Sequence, residues 1–117
     1  MKGIQSEIQK LNHKDIRIRR KAVRELFLIN NKAALVGFEK LLDDNEFWFK
    51  SKAIEAYRKW ASTENDLRLL ISKGETRLAA ELLERIDANK LASELLDSED
   101  HITRSFAASS LKNDSKF

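Results

Sequence analysis

The sequence predicts an all-α protein, an α-solenoid of four helix pairs forming one domain over residues 1–117. Three observations lead there. The 117-residue chain has no Pro and only three Gly, so little in it interrupts a helix. Apolar residues recur at helical spacing along the chain, and no stretch alternates with the period of a strand. One frame of turn residue, acid, apolar–basic pair and small residue recurs four times, as repeat architectures do.

The frame is clearest in "LNHKDIRIRRKAVREL", residues 11–26, set against "LLDDNEFWFKSKAIEAY", residues 41–57. Leu11 matches Leu42, Asn12 matches Asp43, Asp15 matches Glu46, Ile18 matches Phe49 and Arg19 matches Lys50. Ala22 then matches Ala53, Val23 matches Ile54, and Leu26 matches Tyr57. A further copy runs Leu96, Asp97, Asp100, Thr103, Arg104, Ala107, Ala108, Leu111. A more worn one runs Ile71, Ser72, Glu75, Leu78, Ala79, Leu82, Leu83, Ile86. In the worn copy a rival frame on Arg77 and Ala80 is open, but the first frame keeps Leu78, Leu82 and Ile86 on the apolar stripe.

Each column has a physical role. Asn12, Asp43, Ser72 and Asp97 are good N-cap residues, spaced 31, 29 and 25 apart. The acid three positions later resembles a capping box and suits the positive end of a helix. The apolar columns form one helical stripe, in which the small Ala22, Ala53 and Ala107 let a neighbouring helix approach. Upstream of each turn lies a shorter stripe: Ile4, Ile8 and Leu11; Ala34, Leu35, Phe38, Leu41 and Leu42; Leu67, Leu70 and Ile71; Leu91, Ala92, Leu95 and Leu96. Eight helices follow, at about 3–11, 13–29, 31–42, 44–61, 63–71, 73–86, 88–96 and 98–112. They pair into repeats over about 3–29, 31–61, 63–86 and 88–112. The last six residues, "KNDSKF", are expected to fray.

Composition narrows the function. With no Cys, disulfides and thiolate metal sites are excluded. No apolar run has the length of a signal peptide or a membrane span, so the cytoplasm is the expected location. The net charge of +3 is small, but residues 1–60 hold fourteen Lys/Arg against eight Asp/Glu while residues 61–117 hold eight against eleven. That asymmetry predicts an electrostatic preference at one end of the molecule.

Turn acid, apolar–Arg and Ala–apolar in this order resemble the HEAT repeat, in its short variant, over nearly the whole chain. The third copy departs from the pattern, with Ala79 in the basic column and Leu82 in the small one. The Pro usual in the first HEAT helix is also missing. The resemblance implies that Arg19, Lys50 and Arg104 pair with Asp15, Glu46, Asp100 or a turn acid of the adjacent repeat and hold the stack. It also implies that the second helices line a concave side where partners bind.

No catalytic constellation is evident. His13 and His101 stand at polar turns without a second ligand at metal spacing, and neither a nucleophile motif nor a phosphate loop is present. The sequence thus predicts a protein that is not an enzyme and uses no cofactor or metal. Removing the core columns leaves Arg17, Arg20, Lys21 and Arg24 facing solvent on the first long helix. It leaves Trp48, Ser51, Lys52 and Glu55 on the second, Arg77, Ala80, Glu81 and Glu84 on the third, and Ile102, Ser105, Phe106 and Ser109 on the fourth. A charge run is ordinarily a solvated face, but a Trp among polar neighbours is a common binding anchor. The expected activity is therefore a scaffold for a protein or peptide partner with an acidic segment, held by Arg17, Arg20, Lys21, Arg24, Trp48 and Lys52. The alternative is binding to a nucleic-acid backbone through the basic helix, as in some HEAT-like proteins such as the alkylpurine DNA glycosylases. The catalytic carboxylate and aromatic cradle of those enzymes find no counterpart here.

Overall fold

A computed structural model describes residues 3–114, with the side chains of the last two of these left aside. The described residues form eight α-helices and two 3-10 segments, with no strand among them. The chain divides into two compact units, residues 1–61 and 62–117, with the boundary between the second and third predicted repeats.

In the first unit, α1 (Ile4–Lys10) packs along α2 (Ile16–Ile29), and α2 borders α4 (Phe47–Trp60). Between α2 and α4 the chain makes α3 (Leu35–Phe38), only four residues long and flanked by 3-10 segments Lys32–Ala34 and Lys40–Asp43. One continuous helix over 31–42 was the expectation. Instead the apolar residues here come as Ala34–Leu35, Phe38 and Leu41–Leu42, all buried, and the tighter 3-10 winding helps turn them inward. Gly37 lets α1 come close, since a Cβ there would stand 3.0 Å from the side chains of Ile8 and Leu11.

The core of this unit is Leu11, Val23, Leu26, Phe38, Leu42, Phe49, Tyr57 and Trp60. Each large apolar side chain buried contributes about 1.5–3 kcal/mol. Phe27, Phe38 and Trp60 form an aromatic cluster, with centroids 5.1 Å apart for Phe27–Trp60 and 5.5 Å for Phe27–Phe38. The Trp60 indole N–H donates to the Asn30 side chain at 3.1 Å. Asn30 closes α2 in the left-handed conformation, φ 52°, which Asn tolerates better than most residues.

The second unit holds α5 (Glu64–Ser72), α6 (Thr76–Leu82), α7 (Asn89–Leu95) and α8 (His101–Asp114). Helix α6 packs on α5 and α8, and α7 packs on α8. A capping box starts α5, with Thr63 accepting from the Asp66 N–H at 3.2 Å and Asp66 accepting from the Thr63 N–H at 3.2 Å. Its end is a Schellman turn in which the Gly74 N–H donates to Ile71 and the Glu75 N–H to Leu70. Gly74 has φ 85°, a conformation that strains any residue with a Cβ.

The cap column is corrected. Asn12, Asp43, Ser72 and Asp97 do not start the long helices; they belong to the exits of the helices before them. The Asn12 N–H closes on Gln9, the Asp97 N–H closes on Glu94, and Ser72 is the last residue of α5. A chain leaving one helix uses its next residues to satisfy the orphan carbonyls, so the following helix starts about three residues later. Asp15 is the N-cap of α2 and accepts from the Arg17 N–H at 2.9 Å. Asp100 accepts from the Thr103 N–H at 3.1 Å ahead of α8.

The core columns largely hold. Ala22, Ala53 and Ala107 are 0% exposed. Leu substituted at Ala53 is expected to cost about 1–3 kcal/mol through overpacking, read as a lower urea midpoint with an unchanged slope. In the worn copy the first frame keeps its apolar residues, since Leu78, Ala79, Leu82, Leu83 and Ile86 are buried, and Ala80 of the rival frame is buried with them. Ala80, expected in solvent, is therefore a core residue. Ala108 is exposed, Leu111 is half-buried and Leu96 is 40% exposed. Ala108 lies one residue, about 100°, around α8 from the buried Ala107. Glu7 is buried beside Lys10, 3.1 Å away. In "KNDSKF", residues 112–114 continue α8 and 115–117 lie outside the described residues.

Candidate functional site

The α2–α4 border of the first unit is a groove of about 630 Å³, lined by Val23, Arg24, Phe27, Leu28, Trp48, Lys52, Glu55 and Lys59. Helical spacing makes it. Trp48, Lys52, Glu55 and Lys59 stand at i, i+4, i+7 and i+11 on α4, while Arg20, Arg24, Phe27 and Leu28 share the facing side of α2. The floor is apolar, and Leu28 at its edge is 78% exposed.

Trp48 is half-buried rather than open to solvent, because its ring stands edge-on to Phe49 at 5.0 Å. Three cations surround the indole, with Lys52 at 5.6 Å, Arg24 at 5.8 Å and Arg20 at 6.0 Å from its centroid. Lys52 also lies 5.8 Å from the Phe27 ring and 3.2 Å from Glu55. These distances sit at the outer limit of cation–π attraction, so the rings hold the cations loosely. Arg20 and Arg24 make no ion pair among the described residues.

Of the six residues singled out in the sequence, the structure brings Arg20, Arg24, Trp48 and Lys52 together. Arg17 and Lys21 are exposed on α2 but do not line the groove. Arg17 is already engaged, with its guanidinium 3.3 Å from Asp15. That hydrogen bond, reinforced by the Arg17 N–H, holds the Asp15 carboxyl below its ordinary range. Phe27 and Leu28 were missed. The signal for Leu28 is present, since it follows Arg17, Lys21 and Arg24 at i+11, i+7 and i+4 and so falls on their polar face. Phe47, adjacent to Trp48, is 80% exposed and was missed as well.

The expected charge ladder is met at Arg19, which pairs with Asp44, a turn acid of the adjacent predicted repeat, rather than with Asp15 or Glu46. It also donates to the Leu11 carbonyl at 3.0 Å and lies 4.1 Å over the Phe49 ring. In the second unit Arg77 takes the equivalent part, binding Asp100 through Nε at 3.1 Å and a terminal nitrogen at 2.8 Å. Arg68 joins Glu64 and Glu94, each at 2.8 Å. Lys50 makes no ion pair among the described residues, and Arg104 donates to the Ser98 carbonyl at 2.6 Å.

The Asp100 carboxyl is held well below the ordinary carboxylate value, first by Arg77 and then by Thr103. A depressed folded-state pKa stabilises above the unfolded value and is lost as pH falls through the folded one. The second unit should therefore lose stability as pH falls below the ordinary Asp value of 3.8. The melting temperatures of wild type and Asp100→Asn, apart at neutral pH, should converge as pH falls well below that value.

Among the described residues no group of three or more His, Cys, Asp or Glu side chains is placed to hold a metal, and no helix is long and apolar enough to cross a membrane. Compared with family models, curated proteins and solved structures, the chain gives no match. The class defined is an all-helical protein of contacting helix pairs, with a cation-rimmed aromatic groove in its first unit.

Proposed function

We propose that the protein is a non-enzymatic scaffold of four HEAT-like repeats, stacked as an α-solenoid, whose α2–α4 groove receives an acidic segment of a protein partner. The observation behind this reading is the Trp48 indole ringed by Arg20, Arg24 and Lys52 over an apolar floor. Such a groove offers an anchor for one large apolar side chain and charges for carboxylates on either side. The groove residues on α4 span eleven positions, about 16 Å along a helix, enough for a short bound segment. The acidic balance of residues 61–117, eight Lys/Arg against eleven Asp/Glu, works against a long nucleic-acid track.

The test uses a labelled peptide with one Leu among Asp and Glu residues, and a labelled single-stranded DNA, followed by fluorescence anisotropy. The peptide should bind, and Trp48→Ala should weaken it at least about tenfold, near 1.4 kcal/mol. Arg20→Glu/Arg24→Glu should abolish binding at low salt. If the DNA binds more tightly, with the steep salt dependence of counterion release and no response to Trp48→Ala, the protein-scaffold reading is wrong.

A further inference from the structure

The second unit carries the shape and charge that the groove of the first unit lacks. In the turn between α7 and α8, Leu96 is 40% exposed, and Asp97 and Glu99 beside it are exposed. Neither acid makes an ion pair among the described residues, whereas Asp100 is committed to Arg77 and Glu94 to Arg68. Around the groove of the first unit the unmatched charges are of the opposite sign: Arg20, Arg24 and Lys59 make no ion pair among the described residues, while Glu55 is held by Lys52. The formal balance agrees, at +6 for residues 1–60 and −3 for residues 61–117.

The Leu96 turn is also held in shape. The Leu96, Asp97 and Ser98 N–H groups close on Ser93, Glu94 and Leu95, the Asp100 N–H donates to the Ser98 hydroxyl at 3.2 Å, and Arg104 donates to the Ser98 carbonyl at 2.6 Å. A turn fixed in advance loses little conformational freedom on docking.

We infer that the groove's occupant is a second copy of this chain, with its Leu96 inserted beside Leu28 and Trp48 and its Asp97 and Glu99 against Arg20, Arg24 and Lys59. This rests on the groove being a binding site for an acidic, apolar segment and names that segment. The contact is head-to-tail, because the groove and the turn are different surfaces, so each added copy leaves one of each free. It is small, at the low end of specific interfaces, so association is weak and depends on concentration and salt.

Sedimentation velocity of the full chain tests it, from micromolar to near-millimolar concentration at low salt. The expected result is a mass that rises with concentration and returns to one chain in about 1 M salt, where charges are screened beyond about 3 Å. Arg20→Glu/Arg24→Glu and Asp97→Lys/Glu99→Lys should each stay monomeric alone, their helical circular dichroism showing that they fold. Mixed, they should associate again, because each reversed surface meets its complement. A wild type that stays monomeric throughout, or variants that self-associate like the parent, overturns the inference. The labelled acidic peptide separates the two readings: if it binds a chain that never self-associates, the groove reading stands and only the second copy is excluded as its occupant.

Discussion

Phe38→Ala should lower the urea stability of the first unit by about 3–5 kcal/mol, among the largest effects a single core truncation gives. Phe38 is 0% exposed and touches both other rings of the aromatic cluster, with centroids 5.5 Å from Phe27 and 6.1 Å from Trp60. Truncation removes the transfer free energy of the ring and opens a cavity that two rigid aromatics cannot collapse into. The aromatic pairs themselves add about 0.5–1.5 kcal/mol each beyond burial. Phe38→Leu keeps much of the volume and should cost well under half as much. The check is equilibrium urea unfolding followed by circular dichroism. A loss below about 1.5 kcal/mol for the Ala variant would mean that the cluster does not hold the unit together.

The second large effect is expected at Arg19. Its guanidinium joins the Leu11 carbonyl, the Asp44 carboxylate and the Phe49 ring, and so ties the end of α1 to the turn before α4. The pair is largely shielded, with the side chains 19% and 15% exposed, so it exceeds the fraction of a kcal/mol typical of open surface pairs. Arg19→Met should cost about 2–3 kcal/mol, chiefly because Asp44 is left without its cation. Arg19→Lys should recover only part of this, since an ammonium cannot reach two acceptors with the geometry of a fork. In a double-mutant cycle with Asp44→Ala, the two losses should fall short of additivity by about 1–2 kcal/mol. Strict additivity would show that Arg19 acts without Asp44, through the Leu11 carbonyl and the Phe49 ring.

Much of the fold was legible because its cause is periodic. Ala22, Ala53 and Ala107 recur at one place in a frame, and a small residue on an apolar stripe marks close helix contact whatever the neighbour is. Helices α1, α2, α4, α5, α7 and α8 fall within three residues of their expected ends for the same reason. The helix starts were misplaced because Asn12 and Asp15 are both competent caps, and the choice depends on how the preceding helix closes. A turn acid was expected opposite Arg19, but the choice of Asp44 over the equally acidic Asp43 beside it has no period to reveal it. Trp48 was read as open from its polar neighbours at i+4 and i+7, yet its burial comes from Phe49 beside it and from the facing helix. The groove was half legible: its cations lie on one face in sequence and Leu28 shares that face, while Phe27 counts toward it only once α2 and α4 lie side by side.

The segment from 32 to 43 separates two things usually found together. Ala34, Leu35, Phe38, Leu41 and Leu42 are among the buried core, yet the backbone carrying them is α-helical over only Leu35–Phe38, with 3-10 winding on either side. Amide protons are protected by the ladder they belong to, and 3-10 bonds are the poorer kind. These amides should therefore exchange with deuterium sooner than those in the middle of α2 or α4, although the side chains beneath them are just as dry. Opening of the first unit begins, on this account, at its own core, as a brief lifting of backbone over side chains that stay in place.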